Sequence, residues 1–139
     1  MAHTDLYRKQ HKEILDIAAR IRPLLDTKTL AVEGTQANNL SGQLAGKLRV
    51  HLTVEEKGLF PQLIAHPIAD VRTKAQQYQG ELGNLLKAFN DFTTRYPSPA
   101  AIQQAPAGFA KDAGQFLDLL SARLNVEEND LYTLVDRSY

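Results

Sequence analysis

A histidine and a glutamate stand four residues apart in His51-Leu52-Thr53-Val54-Glu55, the spacing that stacks two side chains on one helix face. Leu40, Leu44 and Leu48 before them and Leu59 after them share that face, so both ionisable groups point into a core. Burying such a pair is costly unless a metal ion, an opposite charge or a hydrogen-bond network satisfies it. Two further residues bring the same chemistry on other apolar stripes, His11 early in the chain and Glu127 late. Neutral imidazoles and ionised carboxylates together suit iron, zinc or manganese. The chain has no cysteine, so histidine with carboxylate is the only metal chemistry open to it.

Positioning these groups falls to helices. Tyr7, His11, Ile14, Leu15, Ala18, Ile21 and Leu25 recur with a period near 3.6 and predict a first helix over residues 4–25, with Pro23 in its last turn. Residues 26–35 have no helical face and read as a connection. A second helix over 36–65 carries the His51/Glu55 pair, and Pro61 is expected to kink it near its end. His66-Pro67 makes a corner. A third helix follows with the stripe Val71, Ala75, Tyr78, Leu82, Leu85, Phe89 and Phe92, closed by Pro97-Ser98-Pro99. The stretch to Gly108 is a longer connection with room for a short helical turn. From Phe109 a fourth helix runs almost to the C-terminus through Ala113, Phe116, Leu120, Arg123, Glu127, Leu131 and Leu134. No strand pattern competes. Four amphipathic helices with short links predict an all-α, up-down-up-down four-helix bundle, a single domain over residues 1–139.

Equal counts from the corners place the polar groups at one level. At a rise of about 1.5 Å per residue, His11 lies about fourteen residues before the first corner and His51 about fourteen after it. The same counting brings Leu82 and Arg123 into that layer, with Glu55, Tyr78 and Glu127 one turn away. An internal repeat supports the register: Leu52-Thr53-Val54-Glu55-Glu56 and Leu59-Phe60 answer Leu124-Asn125-Val126-Glu127-Glu128 and Leu131-Tyr132, which sets His51 opposite Arg123 and Glu55 opposite Glu127.

Composition narrows the function. Sixteen basic and sixteen acidic residues give no net charge and no footprint for nucleic acid or an anionic membrane. No segment is long and apolar enough to span a bilayer and no export signal opens the chain, so a cytoplasmic location is expected. No phosphate loop, dinucleotide fingerprint or serine–histidine arrangement marks an enzyme. Two readings of His11, His51, Glu55 and Glu127 stand side by side: ligation of a metal, and a pair of core histidines hydrogen-bonded to the carboxylates. Arg123 divides in the same way, either snorkelling at the edge of its stripe or donating to both glutamates in place of a metal. Tyr78 reads as a packed aromatic, Glu56 and Glu128 as solvated neighbours, and His3 and His66 fall outside the layer.

His11, the run His-Leu-Thr-Val-Glu-Glu-Lys-Gly-Leu-Phe-Pro from His51 and its echo on the fourth helix resemble the hemerythrin-like, HHE cation-binding family over essentially the whole chain. The resemblance implies a carboxylate-bridged di-iron centre that binds dioxygen or senses iron, oxygen or redox state, with His11, His51, Glu55 and Glu127 at metal-ligating positions. Two positions depart from it: Leu82 stands where the third helix usually supplies histidine, and Arg123 where the fourth does. The expectation is therefore a metal-binding module, mononuclear or with an incomplete di-iron site that holds at most one ion tightly, iron foremost, in metal, oxygen or redox sensing or binding, with a small ligand such as dioxygen as a further partner. The alternative is a metal-free bundle with an arginine–carboxylate core, serving as an interaction or regulatory protein.

Overall fold

A computed structural model describes residues 3–139. The helices are Asp5–Ile21 (α1), Thr27–Val32 (α2), Thr35–Val54 (α3), Phe60–Ile64 (α4), Ala69–Arg95 (α5), Pro99–Gln104 (α6), Pro106–Val126 (α7) and Thr133–Ser138 (α8). A 3-10 turn, Arg22–Leu24, holds Pro23 and ends the first run. Wide π-helical turns at Glu55–Leu59 and Glu127–Tyr132 join α3 to α4 and α7 to α8 without a break. No strand occurs among the described residues, and no helix among them is long and apolar enough to cross a membrane.

The apolar stripes bury as the spacing predicts. All seven stripe residues of α5, from Val71 to Phe92, are buried, and α3 buries Ala37, Leu40, Leu44, Leu48 and His51 in sequence. Each large aliphatic or aromatic side chain taken out of water contributes about 1.5–3 kcal/mol, far more than helix propensity supplies. α1 packs on α3, α4 on α5, and α5 on α7, with α1–α7 and α3–α5 contacts closing the arrangement, which is consistent with a four-helix bundle. Below the polar layer an aromatic plug fills the interior, with Phe89 and Phe116 rings stacked at 4.9 Å and the Phe92 and Phe109 rings tilted against each other at 5.6 Å.

Two connections differ from expectation. Residues 26–35 are not structureless: Asp26 caps α2 by accepting from Lys28 N at 3.1 Å, and the helix buries Leu30. Its short length gives no stripe, so only the cap announces it. α2 packs beside α6, itself capped by Ser98 and begun by Pro99. Gly34, at the start of α3, lets that layer close, since a Cβ there would lie 2.7 Å from Pro99 O.

The second difference is the form of the helical departure near Pro61. Pro61 lies in the first turn of α4, where its missing N–H is tolerated, and the irregularity is the π turn before it. Proline is not its cause, because the matching turn at Glu127–Tyr132 is followed by Thr133. The two π turns begin at the two glutamates of the internal repeat, and such widened turns recur at functional sites.

Candidate metal centre

His11, His51, Glu55 and Glu127 meet in the interior, each with no exposed surface. One ligand atom from each lies within 4.8 Å of all the others, close to the span of donors around a single ion at about 2.0–2.2 Å. The Nε2 atoms of His11 and His51 face each other at 2.9 Å. Glu127 Oε1 lies 2.8 Å from His11 Nε2 and 3.6 Å from His51 Nε2, and the Glu55 carboxylate closes against His51 Nε2.

The outer side of each ring decides which nitrogen carries the lone pair. His51 Nδ1 donates to Gln10 Oε1 at 2.8 Å, which leaves Nε2 as the acceptor of a neutral imidazole. His11 Nδ1 lies 3.2 Å from Glu128 Oε1, not aligned for a good hydrogen bond, yet that carboxylate favours the same tautomer. Both Nε2 lone pairs then point at one another and at two carboxylates. Such a set of acceptors is satisfied by a cation or by protons. Glu55 Oε2 and Glu127 Oε2 are buried without a hydrogen-bond partner, and Glu55 Oε1 meets His51 Nε2, so the residues present fit a metal ion.

The protonation balance carries the same imprint. Burial alone would lower the His51 pKa, but hydrogen bonds to Glu127 and Glu55 outweigh it and hold the ring at about 9. Burial pushes Glu55 up to about 8 against the pull of His51. Burial works against Glu127 as well, yet bonds from His11, His51 and Tyr132 keep its carboxyl below the usual range. Without an ion, protons take the place between the donor atoms, with Glu127 the ionised member.

Tyr132, which the sequence presents only as the repeat's counterpart of Phe60, is part of this site. Its hydroxyl donates to Glu127 Oε1 at 2.7 Å and lies 3.1 Å from His11 Nε2. Residues five apart diverge by about 140° on a regular α-helix, and the π turn brings Tyr132 back over Glu127. Gln10 and Glu128 were likewise not expected to take part. The signal was adjacency: one precedes His11 and the other follows Glu127. Glu56, in contrast, is exposed as expected.

Arg123 does not turn inward. Its side chain is 42% exposed and its Nη1 pairs with Glu81 Oε2 at 3.2 Å on α5, so the arginine–carboxylate core is overturned. The reason lies in how the repeat is rotated. α3 buries His51 and leaves Leu52 at the margin, whereas α7 buries Leu124 and leaves Arg123 at the margin, where a guanidinium keeps its hydration. Arg123→Leu should therefore cost less than about 1 kcal/mol of metal-free stability, as read by urea unfolding in chelator; a loss of several kcal/mol would restore the buried-cation idea.

α5 supplies no ligand. Leu82 is buried apolar filling, and Tyr78, packed as expected, donates its hydroxyl to Asp130 Oδ2 at 2.8 Å. His66 is used locally, accepting from Ile68 N at 3.0 Å, and His3 rests against Tyr139. Among the described residues no other cluster of three or more histidine or acidic side chains has metal-binding geometry.

The family model for the hemerythrin HHE cation-binding domain matches residues 2–135. Neither the curated proteins nor the solved structures gave a match. With nearly the whole chain covered and a buried histidine–glutamate cluster able to hold a metal, the chain belongs to the hemerythrin HHE cation-binding domain family.

Proposed function

We propose that this chain is a single-domain, up-down-up-down helical module that binds one metal ion, iron foremost, through His11, His51, Glu55 and Glu127, and acts in binding or sensing rather than catalysis. The observation that carries this reading is the convergence of two lone-pair nitrogens and two carboxylates at a buried point where one oxygen of each glutamate, Oε2, has no hydrogen-bond partner. The helix order is supported by His11 and His51 meeting at one level and by the α1–α3 and α5–α7 packing.

The residues divide the work. Glu55 and Glu127 neutralise a divalent charge, which removes most of the cost of holding an ion away from water. His11 and His51 supply neutral donors whose orientation is set from behind by Glu128 and Gln10. When bound, iron supplies a one-electron couple and a position for a small ligand such as dioxygen. Leu82 and the absent imidazole on α5 limit the centre to one ion.

Metal analysis of protein purified without an affinity tag, after anaerobic loading with ferrous iron and removal of excess, should give one equivalent per chain. His51→Ala should give almost none. Retention of no iron and no zinc by the wild type would sink the metal reading, and two irons per chain would sink the mononuclear one.

A further inference from the structure

Beside its buried stripe, α1 carries a second row of side chains. Leu6, Gln10, Glu13 and Ile17 recur at helical spacing and share one face. With Gly46, Lys47 and Val50 of α3 they wall a cleft of about 520 Å³, within the size range of small-molecule sites. Gly46 makes the room, since a Cβ built there would meet nothing within 4 Å. The apolar rim stays in water, with Leu6 53% and Val50 57% exposed, and covering it is favourable.

Charge and hydrogen bonding decide what fits. The charged lining residues are Lys9, Lys47 and Glu13, and Glu13 is bonded to Lys47 at 2.8 Å, so the cleft carries one positive charge in excess. Gln10 is shared with the metal centre. Its Oε1 accepts from His51 Nδ1 at 2.8 Å, which leaves the amide nitrogen of the same side chain as a donor. Apolar walls, a surplus cation and an amide donor suit a molecule with a hydrocarbon tail, for Leu6, Ile17 and Val50, and a carboxylate head, for Lys9 and Gln10.

We propose that the cleft between α1 and α3 binds a small apolar monocarboxylate, of the size of a medium-chain fatty acid, and that Gln10 couples it to the metal centre. The coupling rests on the metal-binding reading above, whereas the cleft does not. A carboxylate accepting from the Gln10 amide nitrogen polarises the amide and makes Oε1 a stronger acceptor, because linked hydrogen bonds reinforce one another. That fixes the His51 tautomer and ring orientation that present Nε2 to the ion. Metal and carboxylate then tighten each other's binding by the same factor.

Amide NMR shifts of metal-free protein titrated with sodium octanoate test the cleft. Saturable shifts should be confined to its walls, residues 6–17 and 43–50. Octylamine, with the same chain and the opposite charge, should bind at least about fivefold more weakly. Gly46→Leu fills the open space and should abolish octanoate binding while the fold persists. In the wild type, octanoate should lower the zinc dissociation constant about fivefold, and in Gln10→Leu it should leave that constant unchanged. No saturable shifts, equal binding of octylamine, or binding that survives Gly46→Leu overturns the site. Shifts of the same residues with protein concentration alone would put a second copy in the cleft and overturn it too. Octanoate bound in the cleft with an unaltered zinc dissociation constant overturns the coupling through Gln10. A wild type that binds no zinc and no iron fails the metal reading and, with it, the coupling, while the octanoate titration still decides the cleft.

Discussion

His11→Leu should destabilise the metal-free protein by about 3–5 kcal/mol, whereas replacing His11, His51, Glu55 and Glu127 together with apolar residues of similar size should leave it as stable or up to about 4 kcal/mol more stable. The single change removes the nearest imidazole from Glu127, 2.8 Å away, and takes a cationic partner from the one carboxylate that the cluster keeps ionised. Tyr132 and the more distant His51 remain but do not replace it. The quadruple change removes every buried charge of the cluster at once, and the Tyr132 hydroxyl, which loses both partners, offsets only part of that gain, about 1–3 kcal/mol. Urea unfolding in chelator measures both. A quadruple variant less stable than His11→Leu would mean that the cluster is a stabilising network in its own right. The expected order implies instead that these four residues cost the bundle stability and are accounted for by what they bind.

Much of this arrangement can be read from spacing. The α5 stripe, the shared level of His11 and His51, and the arrival of Glu55 and Glu127 beside them follow from periods and counts, because helix rise is fixed and the links are short. What spacing misses is decided within a single turn. Arg123 and Leu124 compete for one inward position, and a rotation too small to register in a stripe settles it for leucine. The π turns leave no propensity signal, yet they bring Tyr132 onto Glu127. A comparison of Glu55/Phe60 with Glu127/Tyr132 in the repeat was the available clue. Gln10 and Glu128 escaped notice because adjacent residues on a helix point in different directions. Each nevertheless reaches the back of an imidazole, Gln10 across to His51 on α3 and Glu128 across to His11 on α1.

One equivalent of zinc or ferrous iron should raise the melting temperature by roughly 10 °C or more, and the gap between loaded and chelated protein should widen as pH rises. An ion held at a free concentration a thousand times its dissociation constant stabilises the folded state by about 4 kcal/mol, and each kcal/mol is worth several degrees in a chain of this size. The pH dependence follows from the groups in the site. His51 is raised from 6.5 to about 9 when folded, so its contribution to the metal-free protein is complete below pH 6.5 and is lost as pH climbs through 9. Glu55, raised from 4.5 to about 8, acts in the same direction, since the folded site favours its protonated form and loses that preference through pH 8. The two share protons, so one combined decline is expected, not two separate ones. Metal reverses the dependence: its ligands must be deprotonated, and higher pH removes the competing protons. Between about pH 6 and 8.5 the chelated protein should therefore lose stability that the loaded protein keeps. A gap that narrows over this range, or a second equivalent of metal that raises the melting point as much as the first, would be incompatible with one ion replacing protons among His11, His51, Glu55 and Glu127.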